Sequence, residues 1–104
     1  MTAQVAADLR AAADVLERDG WTQGLQHSRC GHCAAGAIEV AVDPNWSSDE
    51  AWDWAICDRF EEATSELAQL IGARIESWND AHDRTADEVI AALRAAADRA
   101  EAAA

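Results

Sequence analysis

The segment Cys30-Gly31-His32-Cys33 carries the most overt chemistry in this 104-residue chain. Two cysteines at this spacing form dithiol redox sites when a thiolate at a helix N-terminus has a lowered pKa. Such sites follow a hydrophobic strand, whereas Leu25 to Arg29 is polar, so the context of a redox enzyme is missing. Zinc is the second chemistry. His27, Cys30, His32 and Cys33 offer soft and borderline ligands within seven residues, and Cys57 or His82 could complete a set of four. Tight zinc sites usually combine two separated ligand pairs, and one clear pair is present. The expectation is therefore no metal, no cofactor, and thiols that pack as small hydrophobes.

A second constellation surrounds Trp54. At 100° per residue, Trp52, Ile56, Phe60 and Leu67 cluster on one side of a helix, and Trp54 lands about 160° from Trp52. It then sits between Glu50, Asp58 and Glu61. A large aromatic ringed by polar groups is a usual form of protein-binding hot spot. Trp54, Glu50, Asp58 and Glu61 are the candidate partner-binding residues. The plainer alternatives are cover from the loop carrying Trp46, or self-association. No Ser–His–acid spacing, phosphate-binding glycine loop or isolated carboxylate pair stands out, so an enzyme is not expected.

Charge narrows the partners. Twenty acidic residues against eight basic, all of them Arg, give a formal net charge of −12. Direct nucleic-acid binding needs a basic stripe, which is absent, and anionic membranes are disfavoured for the same reason. A partner protein with a basic surface fits. No apolar run approaches the ~18 residues of a membrane span. Residues 1–19 carry Asp8, Arg10, Asp14, Glu17 and Arg18 and read as no signal peptide, so a cytoplasmic protein is expected. Three cysteines, an odd number, argue against a disulfide framework.

The elements that must position these residues read as helices. About a quarter of the chain is Ala, and Pro44 is the only proline. Val5, Leu9, Ala12 and Leu16 place a first helix over Ala3 to Asp19, closed by Gly20, with Trp21 folded against Leu16. A short helix follows from His32 to Val42, with Cys33, Gly36, Ala37 and Val40 on one face, ending before Pro44. Ser47 with Glu50 resembles a capping box, and Asp49 and Glu50 would complement the dipole of a third helix. Its stripe is Trp52, Ile56, Phe60, Ala63, Leu67 and Leu70, with helical period to Trp78, and Gly72 either ends this helix or is tolerated inside it at about 1 kcal/mol. Thr85 with Glu88 caps a last helix, Ala86 to Glu101, with Val89, Leu93, Ala96 and Ala100 buried. Leu9 to Asp14 recurs as Leu93 to Asp98, which suggests two thin faces that pack on larger residues of the third helix. Trp21, Trp52 and Trp78 are expected to fill the core.

Three motifs in order carry a resemblance. Asp19-Gly20-Trp21-Thr22-Gln23-Gly24, then Cys33-Ala34-Ala35-Gly36-Ala37-Ile38, then Trp78-Asn79-Asp80 with Arg84-Thr85 and Glu88-Val89, resemble a small domain-of-unknown-function family of actinomycetes and their bacteriophages. The likeness spans about Val5 to Ala100. It implies a compact bacterial or phage protein of no established activity. Cys33 belongs to the family's pattern, whereas Cys30 and His32 depart from it, which weakens the dithiol and zinc readings.

Sequence and resemblance together predict an all-α, compact single-domain bundle of four to five helices over residues 1–104. The expected function is a non-enzymatic protein-binding module, free of cofactor and of phage-modulator type. Its rivals are a zinc- or thiol-dependent module on Cys30 and Cys33, and an acidic mimic of nucleic acid.

Overall fold

Segments with apolar residues every three or four positions bury one stripe each, and the computed structural model joins five helices, the first and last of them alanine-rich, around one core. It describes residues 2–48 and 50–103. The helices are α1 (Thr2–Asp19), α2 (Ala34–Val42), α3 (Trp54–Ile71), α4 (Ile75–Asn79) and α5 (Ala86–Ala102). One two-stranded antiparallel hairpin, β1 (His27–Ser28) and β2 (Gly31–His32), lies in the loop between α1 and α2. Strands of two residues leave no alternating pattern to read in a sequence.

The most extensive helix contact is between α1 and α5. Leu9, Ala12 and Ala13 of one copy of the repeated hexapeptide are fully buried, as are Leu93, Ala96 and Ala97 of the other. The two thin faces therefore pack chiefly on each other, not on α3 as expected. Alanine lets two helix backbones approach closely, so the shared surface is gained without large side chains. The repeats also answer each other at the rim: Arg10 meets Asp98 at 2.9 Å, and Arg94 meets Asp14 at 3.6 Å.

This packing changes what fills the core. The largest fully buried side chains include Leu9, Ile38, Leu67, Leu93, Val42 and Val89. Trp21, Trp52 and Trp78 are half-buried, so the expectation of a tryptophan core is wrong. Trp21 and Trp78 pack against the edge of the aliphatic cluster. Trp52 precedes α3 and packs its ring on Phe60, centroids 5.0 Å apart.

The start of α3 also differs. Asp53, in extended conformation, is its N-cap and accepts from the Ile56 N–H at 2.9 Å. The expected cap Ser47 lies in a turn instead, where Trp46 N–H bonds to Asp43 O and Ser48 N–H to Asn45 O. Asp caps as well as Ser does. Tertiary contacts of Trp46 decide between them. The expected dipole contribution of Asp49 lies outside the described residues. At the far end Gly72 adopts φ 67°, closing α3, and α4 begins three residues later. The Thr85–Glu88 capping box at the start of α5 is present in both directions.

Across the bundle, Asp8 is 3% exposed and receives both Arg59 Nη2, at 2.6 Å, and Arg59 Nε, at 3.1 Å. This two-point ion pair ties α1 to α3 with the carboxylate's charge compensated.

Candidate functional site

Trp54 occupies the first position of α3 and is 86% exposed. Asp58 and Glu61 follow it by four and seven residues, which places all three along one row of the helix, and both are exposed. The row continues through Ser65 to Ala68. There a shallow groove opens, lined by Glu61, Thr64, Ser65, Arg74, Ile75 and Glu76 among others. The loop carrying Trp46 does not cover Trp54. Its indole lies on the imidazole rings instead, 4.6 Å from His27 and 5.3 Å from His32 between centroids.

Glu50 departs from the expected grouping. It sits ahead of the helix rather than on it, and lines a separate cleft with Asp43, Asn45, Trp52, Asp53 and Ile56. The helical geometry that set Glu50 beside Trp54 does not apply, because the helix begins at Trp54. The same shift replaces the reason for Trp54's exposure. Trp52 and Trp54 diverge because one precedes the cap and the other follows it.

The cysteines behave differently from each other. Cys30 is exposed in the hairpin turn, where its N–H bonds to Ser28 Oγ at 3.1 Å. Cys33 is the N-cap of α2 and its Sγ accepts from the Gly36 N–H at 3.3 Å. Burial pushes its thiol pKa up, against the lowering contribution of the Gly36 N–H. A redox nucleophile requires the opposite shift. All three cysteines are free. Among the described residues no group of three or more His, Cys, Asp or Glu side chains is arranged to hold a metal ion.

Gly31, between these cysteines, has a steric role. A Cβ there would lie 2.1 Å from Gly20 O, and one on Gly20 would lie 2.3 Å from Cys30 O. Both glycines have positive φ, 143° and 97°. The close crossing lets His32 N–H bond to Gly20 O and Thr22 N–H to His32 O, both at 3.0 Å. Gly36 serves similarly, since a Cβ there would meet Gln26 O at 2.1 Å.

Sequence reasoning missed two clusters. The first is built on Asn79, 1% exposed at the end of α4. Its Oδ1 accepts from Trp21 Nε1 at 2.7 Å and from the Ala34 N–H at 2.9 Å. Its Nδ2 donates to Thr22 O at 3.2 Å and to Asp80 Oδ1 at 3.0 Å. Asp80 in turn accepts from the Gly24 N–H, and Gln23 Nε2 donates to the carbonyls of Asn79 and Ala81. One asparagine thus joins the three motifs of the resemblance, and their job here is to hold the loop, α2 and α4 together. The signal available in sequence was the polar residue in an apolar register, Asn79 after Trp78.

The second is a pair of histidines. The hairpin places His27 opposite His32, with Nδ1 of each ring 2.8 Å from the other. The outer nitrogens face carboxylates: His27 Nε2 meets Glu39 of α2, and His32 Nε2 meets Asp19 at the end of α1, at 2.9 Å. Asp19 is held well below the usual carboxylate range, first by Arg18 and then by His32. The rings meet because the chain reverses over two residues, Arg29 and Cys30.

No helix among the described residues is long and apolar enough to cross a membrane. Neither a curated protein nor a solved structure matches the chain. A family model does match, over residues 1–99, and the chain belongs to a family of unknown function (DUF6197).

Proposed function

We propose that this protein is a non-enzymatic binding module that docks on a basic protein surface through Trp54, flanked by Asp58 and Glu61. The observation that carries this reading is the 86% exposure of Trp54 in a row with two exposed carboxylates. An indole in water exposes a large apolar area that a partner can cover, and aromatic anchors dominate binding energy. The formal charge of −12 selects the partner's sign: it opposes a second copy of the same chain and attracts a basic patch. The carboxylates mainly speed encounter, while the indole sets how long the complex lasts. The setting we infer is the cytoplasm of an actinomycete, with the chain acting as a phage-type modulator of a host protein.

The test compares wild type, Trp54→Ala and Glu61→Ala as baits in an actinomycete lysate, then measures the recovered basic protein by titration. Trp54→Ala should weaken binding about 30-fold, the equivalent of ~2 kcal/mol, with folding unchanged. Glu61→Ala should slow association and flatten its salt dependence. Equal binding by wild type and Trp54→Ala, or dimerisation of the wild type through Trp54, would sink the proposal.

A further inference from the structure

Hydrogen bookkeeping on the histidine pair leads further than its burial alone. An ionised carboxylate can only accept, so the ring nitrogens facing Glu39 and Asp19 must each carry hydrogen. The contact between the two Nδ1 atoms, at 2.8 Å, has room for one hydrogen and requires it. Four ring nitrogens then hold three protons, one more than two neutral imidazoles carry. With both carboxylates ionised, that count is the one an imidazole and an imidazolium sharing a proton would have. Arg18 stands behind Asp19, and Gln26 Nε2 donates to the same Glu39 oxygen that His27 faces. The Trp46 ring also packs on the pair, tilted by 38° on His27 and edge-on to His32.

We propose that His27 and His32 form a proton-bridged latch that holds the Trp46 segment against the hairpin in one protonation state only. A fourth proton would set two N–H bonds head to head at a distance that attraction requires. Loss of the shared proton would set two lone pairs head to head. Either change opens the ring contact and removes the platform on which Trp46 stacks. Acidification is therefore expected to release the segment between α2 and α3, because protonating the second imidazole also adds like charge beside the first. A metal ion is the other species that two converging Nδ1 lone pairs could hold, with the carboxylates orienting the rings from behind. Two nitrogens without a third ligand make a poor site, which favours the proton. The latch is independent of any partner for Trp54.

The experiment is nitrogen-detected imidazole NMR on the full chain, titrated with acid and base around neutrality, with exposed His82 as internal reference. The expected result is a coupled transition: both Nδ1 signals of His27 and His32 move together, and the Trp46 indole N–H moves with them while that of Trp54 does not. Glu39→Gln and Asp19→Asn should each displace that transition for both histidines and leave His82 in place. Independent titration of the two rings, a Trp46 signal indifferent to the transition, or stoichiometric uptake of added Zn²⁺ by the pair would each overturn the proposal.

Discussion

Trp21 donates its indole N–H to Asn79 Oδ1 over 2.7 Å, joining residues 58 positions apart through an amide that is 1% exposed. The same oxygen takes the first N–H of α2 from Ala34, so one acceptor serves a side chain and a helix start. Removing it strands two donors. Asn79→Ala should cost about 3 kcal/mol, since each buried donor left unsatisfied costs ~1–3 kcal/mol. Urea unfolding measures this, and a loss under about 1 kcal/mol would show that water replaces the amide.

The aliphatic core, not the tryptophans, should dominate stability. Leu67→Ala empties a fully buried site between α3 and its neighbours and should cost about 3 kcal/mol. Trp52→Ala removes a half-buried ring outside the helix and should cost about 1 kcal/mol, mainly its packing with Phe60. Reversed magnitudes in the same unfolding experiment would restore the tryptophan core.

Acid should destabilise the fold through three carboxylates whose pKa values are lowered. Asp19 is held down by Arg18 and then His32, Asp80 by the Gly24 N–H and then Asn79, Glu88 by the Thr85 hydroxyl and then the Thr85 N–H. Each folded value lies below the unfolded one, so the contribution is complete above the unfolded pKa, near about 4, and is lost as pH falls through the folded value. Melting temperature should thus drop as pH goes below about 4. Asp80→Asn should start lower and fall less steeply. An unchanged acid slope in this variant would remove Asp80 from the account.

The two cysteines of the Cys30–Cys33 motif should differ in reactivity. Cys30 is exposed, whereas burial raises the Cys33 thiol and its sulfur is bonded to the Gly36 N–H. Alkylation of native protein, followed by mass spectrometry, should label Cys30 at least about tenfold faster, with the difference erased by denaturant. Cys33→Ala should cost about 1 kcal/mol as a lost helix cap, while Cys33→Ser keeps an acceptor there. Faster labelling of Cys33 than of Cys30 would revive the dithiol reading.

The sequence by itself determined the features set by neighbours within a turn or two. The Thr85–Glu88 box, Gly20 at a helix end, and the buried row Val89, Leu93, Ala96 and Ala100 were all legible, whereas Gly72 read equally as an end or as an interior residue. Capping and helical period act over three or four residues, and no distant contact overrode them. The row Trp54, Asp58 and Glu61 was legible for the same reason, while Glu50 was not, because its place depended on where α3 begins.

Tertiary structure alone decided the rest. Ser47 and Asp53 are both competent caps, and the choice fell to Asp53 where Trp46 lies across the two imidazoles. The repeated hexapeptide was visible, but only the antiparallel pairing of α1 with α5 made its alanines a core and left the tryptophans at the edge. Asn79 draws partners from distant segments, such as Trp21 from 58 positions away, and the histidine pair draws its carboxylates from two different helices, 12 and 13 positions away. Such meetings follow from how the helices close on one another, a long-range balance of burial against chain entropy that no local pattern records.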